Sequence, residues 1–505
     1  MGGGMSIRAV ALVGAALFIT MPAAAETLRE ALLKAYASNP TITAQRANQR
    51  AVDENVPIAR ANGLPSLNAT GQVIDNVVQA NNNFLNPGRQ ATANTQFTVP
   101  LFQGGAVRNA VSAAETRVAA GVANLRSTEA NLFTNVVAAY MNVIRDEAIV
   151  GLNTQNVRVL DVNLQASRDR FQVGDLTRTD VAQSEARLAL ARAQLQSAQA
   201  QLISSRENYI NLVGDAPVGL ELPPMLPNLP ATPDAAVTEA LSKNPQLLAA
   251  RKTRDATRFD VGVARAGRLP RVNAIASGNY FNYLGSLPAQ STIPGSGTSA
   301  TAGLQLTVPL FQGGRPGAQV RQAQALQSQA IENVTATERG IISQARSAYA
   351  FWQSSQQVIA SSETAVNANK LSLEGVRAEN SVGTRTIIDI LNAEQELLNS
   401  QVTLVTARRD AYVAGFALLA AMGDAEARDL GLDGGSLYDP TINYRRVRHS
   451  INDWASDSEP QPVASTTTTT PAQNATVTRP LDPLLDTNVD RSPALTTGTA
   501  SPNRQ

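Results

Sequence analysis

The sequence has no cysteine and one histidine, His449, which lies in a polar C-terminal stretch. Disulfides, a cysteine nucleophile and a thiolate zinc site are thereby excluded. A histidine-centred catalytic or metal site would rest on that single residue. The 42 Lys and Arg residues against 41 Asp and Glu leave a net charge of +1, so no basic field points to nucleic acid. Nothing resembles a nucleophile–base pair or a metal cluster, and neither an enzyme nor a cofactor is expected. No stretch offers the roughly 18 uninterrupted apolar residues of a membrane-spanning helix. A chain of this kind that entered a membrane would have to do so as a closed barrel.

Proline is missing from two long stretches, 101–216 and 317–439. Each begins within or just after the same seven letters. Val99-Pro-Leu-Phe-Gln-Gly-Gly105 returns as Val308-Pro-Leu-Phe-Gln-Gly-Gly314, 209 positions later. One structural unit is therefore present twice. Asn39-Pro40 matches Asn244-Pro245 and Leu64-Pro65 matches Leu269-Pro270, both 205 apart. The four-residue difference belongs in a loop between two strands, where insertions cost little.

After each Leu-Pro, polar and apolar residues alternate. The runs starting at Leu67 and Thr92, and at Val272 and Thr301, predict one long hairpin per half. Loop residues separate the strands: Asn81-Asn-Asn83 with Asn86-Pro-Gly88, and Ile293-Pro-Gly-Ser-Gly297. Aromatic residues gather there (Phe84, Phe97, Phe102, Tyr280, Phe281, Tyr283, Phe311), as an interfacial girdle or as ordinary cross-strand packing. Pro100 and Pro309 are expected to end the strand ladder. The glycine pairs Gly104-Gly105 and Gly313-Gly314 let the backbone turn into a helix.

Beyond the heptapeptides, apolar and small residues step by four and three. Leu132, Val136, Ala139 and Val143 in the first copy correspond to Ile341, Ala345, Ala348 and Trp352 in the second. Such spacing predicts coiled-coil packing. Nearly 70 residues of helix span roughly 100 Å, and they carry Arg, Glu, Asn and Gln throughout. These are long aqueous helices. Turns at Gly174 and Gly383 lead into returning helices, from about Thr179 to Leu212 and from Ile387 to Ala421.

The chain divides accordingly. Residues 1–25 read as a signal peptide with Arg8, a short apolar stretch and small residues Ala23-Ala-Ala25, so the mature chain is expected to start at Glu26 without a lipid-anchor cysteine. Residues 26–215 form the first repeat, 216–233 a Pro-rich link, and 234–422 the second repeat. Residues 423–449 are expected as a periplasmic equatorial segment. The Ser/Thr/Pro-rich tail 450–505 is too poor in apolar residues to fold and is expected to be disordered, or to bind a partner.

Four strands cannot close a barrel, since the smallest membrane barrels have eight. Two chains are the minimum and three would supply twelve strands. The expected object is an α+β membrane protein, a β-barrel continued by a helical tube that conducts. A structural or adhesive coiled-coil stalk is the alternative, although a stalk needs only one anchor.

The duplication, the paired Leu-Pro and Val-Pro-Leu-Phe-Gln-Gly junctions and the run Val382-Gly-Thr-Arg-Thr-Ile-Ile-Asp-Ile-Leu-Asn-Ala-Glu394 resemble the TolC family of outer-membrane efflux proteins, over about residues 26–440. The resemblance implies a homotrimer with a twelve-stranded barrel in outer-membrane lipid and a periplasmic helical tunnel that closes like an iris. It also implies a periplasmic adaptor (membrane fusion) protein and an inner-membrane transporter of ABC or RND type as partners. The cargo would be small toxic compounds, secreted proteins, or both.

Family gate residues carry over one by one. Two aspartates ring the family's closed tip. The first matches Asp389 and the second matches Asn392, so one ring of three carboxylates is implied instead of two, with weaker cation affinity. A closing link implied between Arg385 and Thr179 has both residues present. A second joins a tyrosine to an aspartate; the aspartate matches Asp180, but Asn380 stands at the tyrosine position, with a shorter reach. The residues alone allow another reading, in which Asp180 and Asp389 serve as favourable charges at helix N-termini. The Gly174 and Gly383 turns fit either partner contact or plain hairpin geometry.

Overall fold

The computed structural model describes residues 25–78, 87–287, 291–432, 437–464 and 466–486. The signal-peptide residues before Ala25, the expected loop residues 81–83 with Phe84 and Asn86, and the tail beyond 486 lie outside the described residues.

The two hairpins join into one sheet. Its strands β1 (Ser66–Asp75), β2 (Arg89–Phe102), β3 (Arg271–Asn282) and β4 (Ser296–Thr307) lie antiparallel in sequence order. Register sorts the side chains, because residues directly opposite share a face. Leu67 faces Phe97, Phe97 faces Ala276, and Ala274 faces Leu304. One face thus carries Leu67, Val73, Phe97, Val99, Leu304 and Leu306. The other carries Asn68, Gln72, Gln96, Ser277 and Gln305. Leu67, Val73 and Leu304 are 67, 74 and 73 % exposed on the single chain. A sheet apolar on one side and polar on the other suits lipid outside and water inside. Among the described residues its edges β1 and β4 are unpaired.

Pro100 does not end its strand. It sits opposite Asn273, and β2 continues to Phe102 through a register shift between Pro100 and Phe102. The irregularity accommodates the missing donor. In the second copy β4 stops at Thr307, before Pro309.

The helices repeat with the same offset as the heptapeptides. Helix α4 (Ala106–Gln172) and α8 (Arg315–Ser381) have 67 residues each. The returning helices α5 (Arg178–Val213) and α9 (Ile387–Met422) have 36 each. All four boundaries are 209 apart. On the barrel side, α7 (Pro245–Ala266) runs unbroken, while its counterpart is split into α2 (Pro40–Asp53) and α3 (Asn55–Ala61). Pro57 explains the split, since it has no N–H for the Asp53 carbonyl one turn back. Asn39 and Asn244 cap α2 and α7, and their amides donate to the Leu212 and Ala421 carbonyls at 2.8 and 2.9 Å. Each cap ties the end of a returning helix to the start of the next.

Midway along the long helices, α1 (Leu28–Ser38) and α6 (Pro233–Lys243) pack as a belt. The main core lies here, with Phe133, Tyr140, Tyr209 and Phe416 fully buried. The Tyr140 hydroxyl lies 2.8 Å from the Glu26 carbonyl and 2.7 Å from that of Glu221. Its copy Tyr349 donates to the Ala231 carbonyl at 2.8 Å. Each tyrosine pins a connecting segment to a long helix.

The last segments run both ways from this belt. Residues near 426–427 bond Arg126 and Glu129 of α4, whereas α10 (Thr441–Val447) sits nearer the barrel, where Asn443 bonds Asp53 at 2.9 Å. Within the tail expected to be disordered from 450, one described stretch is docked on the helices. Residues 473–486 lie against α4, α5, α8 and α9, with Leu485 only 3 % exposed. Average composition hid this, because a few leucines and many backbone carbonyls are enough to dock an extended segment.

Candidate functional site

The site predicted from sequence is the tip farthest from the sheet. Each helix pair turns there in the same way. At the first turn the Asp175 N–H donates to the Arg170 carbonyl and the Gly174 N–H to Phe171; at the second, Thr384 donates to Glu379 and Gly383 to Asn380. This is the Schellman pattern, which needs a left-handed residue. Gly174 and Gly383 supply it at φ 83° and 82°. Beside them Val173 and Val382 are 80 and 75 % exposed.

The two aspartates occupy matched positions. Asp180 accepts from the Thr177 N–H at 2.9 Å and the Thr177 hydroxyl at 2.7 Å. Asp389 accepts from the Thr386 N–H at 3.0 Å and hydroxyl at 2.8 Å. Both are third residues of capping boxes. The Thr177 hydroxyl, then its backbone, holds Asp180 below the usual carboxylate range. The Thr386 backbone, then its hydroxyl, does the same for Asp389, with Arg385 adding attraction. Capping uses one oxygen of Asp389 and leaves the group ionised at an open surface. A structural role and a charged rim are therefore compatible.

The other expected links are not made within the protomer. Arg385 pairs with Glu379 at 2.7 Å, not with Thr179. Asn380 donates to the Arg385 carbonyl at 2.7 Å, not to Asp180. Local geometry decides this, since Glu379 and Asn380 lie in the same turn as Arg385.

Three connections were missed. Arg187 of α5 donates to Asn392 of α9 at 2.8 Å and so bridges the two tips. The residue standing where the family has its second aspartate is thus a neutral amide held by a charge-assisted hydrogen bond from a guanidinium. Arg168 pairs with Glu185 at 2.6 Å, and Arg377 with Glu394, in equivalent places. Both pairs clamp an outgoing helix to its returning partner. Their identity at the 209 offset was the available signal; Arg187, whose copy is Glu396, offered none. Burial pushes the Glu394 carboxyl up, against the pull of Arg377.

A sheet with opposite faces, feeding helices of about 100 Å that turn at a capped tip, is the geometry of a duct. The outer membrane efflux protein family matches residues 31–215 and 236–424. The chain belongs to that family. It is 33 % identical over 442 residues to the outer membrane efflux protein BepC of Brucella suis, across 88 % of this chain and 95 % of that protein. It is 26 % identical over 470 residues to the outer membrane protein TolC of Escherichia coli, across 88 and 93 %. The CmeC outer membrane channel of Campylobacter jejuni superposes with a TM-score of 0.70 at 15 % identity, across 84 % of this chain and 90 % of that one. This efflux protein is accordingly an exit duct, with its sheet in the outer membrane and its helices extending into the periplasm. Its family and fold are those of channels.

Proposed function

We propose that three copies of the chain close a twelve-stranded barrel, and that their tips form an iris ringed by Asp389. The observation that carries this reading is the repeat itself. Within the chain, β2 and β3 are the seam between the two halves. Gln103 donates to Asn273 across that seam at 2.7 Å, and a Cβ on Gly104 would lie 2.8 Å from Leu269. The copies of these residues are Gln312, Asn68, Gly313 and Leu64, and they sit at the two free edges of the sheet. Gly313 has nothing within 4 Å of such a Cβ.

Carrying the β2–β3 register over to β4 and β1 sets Leu304 beside the partner's Val73 and Leu306 beside the partner's Gly71. Apolar residues stay with apolar, which a one-residue slip would reverse. The β4–β1 closure then repeats the seam and removes both edges. The exposed stripe of α8, with Phe351 at 69 and Leu371 at 70 %, is buried by the same assembly.

The absence of native cysteine makes the test direct. In Gln312→Cys/Asn68→Cys, oxidation should give covalent trimers on a denaturing gel; monomers alone, from a folded preparation, contradict the closure. We further propose that the tips meet a periplasmic adaptor and an ABC or RND transporter, and that cargo is small toxic compounds, secreted proteins, or both. Deleting the gene and measuring drug susceptibility together with the secreted proteins separates these cargoes.

A further inference from the structure

We infer that residues 473–486 act as a clasp that ties the α4/α5 pair to the α8/α9 pair and holds the periplasmic end closed; this rests on the iris reading above. The segment begins on the first pair. Arg206 of α5 donates to the carbonyls of Asn474 at 2.7 Å and Thr476 at 3.0 Å, and Glu207 accepts from the Gln473 N–H at 3.1 Å. Farther along, Leu481 lies over α4 at Gly151, where a Cβ would come within 2.9 Å of it. The segment then reaches the second pair. Arg408 of α9 binds Asp482 at 2.7 Å and Glu363 of α8 at 3.1 Å. Lys370 of α8 donates to the Leu484 and Asp486 carbonyls, and Gln401 of α9 donates to the Leu485 carbonyl at 2.8 Å in a buried site. Gln155 of α4 closes the circuit on Asp486 at 3.1 Å.

Leu481, Leu484 and Leu485 fill a groove whose floor comes from both halves: Leu152 of α4, Val366 and Leu373 of α8, and Leu397 and Leu404 of α9. Gly151 is the position where this α4 face lacks a side chain, and Leu481 takes that space. The same short segment therefore bonds all four helices between the belt and the tip. Any movement that separates α9 from α4 must break its buried contacts, so the segment favours the arrangement in which the four helices stay together.

The test uses the full-length trimer in planar bilayers, beside a truncation after Ala472 and the variant Gly151→Val, which expels Leu481 while keeping the tail. Both should raise conductance by about twofold or more through a shift toward open states. A disulfide in Gln401→Cys/Leu485→Cys should fix the wild-type level, with reduction restoring normal opening. Asp389→Ala serves as the control for the gate. If Asp389→Ala raises conductance while truncation and Gly151→Val leave it unchanged, the clasp is wrong and the iris stands. If truncation and Gly151→Val open the channel and Asp389→Ala does not, the clasp holds and the placement of Asp389 fails.

Discussion

The long and returning helices of the two repeats share their boundaries and differ in surroundings. Helix α4 is buried on most of its circumference between α2, α5, α7 and α9, with Phe133 and Val136 fully enclosed. Helix α8, of equal length, buries only a stripe marked by Val334, Ile341, Ala345, Val366 and Leu373. Duplication copied the backbone, and position in the sheet then decided which copy became the centre and which the edge. In the proposed trimer the seam between the halves serves as the pattern for the interface between chains.

Breaking the core tests that difference most strongly. Phe133→Ala should cost about 3–5 kcal/mol of stability, whereas Ile342→Ala at the matched position on α8 should cost less than half as much. Thermal unfolding of the dissociated protomer in detergent reads both, and equal losses would dissolve the contrast between centre and edge.

The duplicated ion pair gives the next effect. Arg377→Ala leaves Glu394 buried without a partner and should cost about 2–3 kcal/mol near neutral pH. Arg168→Ala breaks a pair whose side chains are each half exposed and should cost under about 1 kcal/mol. Acid should rescue the Arg377 variant, because burial already favours protonated Glu394.

Glu129 adds a pH signature to the central helix. Burial, with Glu426 nearby, pushes its carboxyl up to about 7, although the Ala427 N–H and Arg46 and Arg126 pull it down. An acid raised in the folded state binds its proton there and not in the unfolded chain, where Glu titrates near 4.3. Its contribution to stability is complete below that value and is lost as pH rises through about 7. Glu129→Gln should remove this slope and gain on the order of 1 kcal/mol at pH 8. An unchanged slope in chemical denaturation would assign the pH dependence elsewhere.

Much of this architecture was legible in the sequence because repetition supplies an internal alignment. The 209 offset located the joints, both turns and the helix ends to within a residue or two. What stayed hidden depended on contacts without a copy. Arg187 meets Asn392 only because two different helices converge, and residues 473–486 have no counterpart in the other repeat. Within the protomer Arg385 pairs with Glu379, six residues away, where the family resemblance implied a link to Thr179. Asp389 illustrates both sides: its capping role follows from Thr386 three residues earlier, and the proposed ring rests on assembly alone.

That ring is the centre of the account. Conductance of the reconstituted trimer should be measured against divalent-cation concentration for wild type, Asp389→Ala and Asn392→Asp. The capped carboxylate sits below the usual range, so block of the wild type should persist into mildly acidic solution. Asp389→Ala should raise conductance and weaken block, and Asn392→Asp should strengthen block, most where Arg187, which meets residue 392, is replaced as well. Equal block in all three proteins would contradict a gate at the tip.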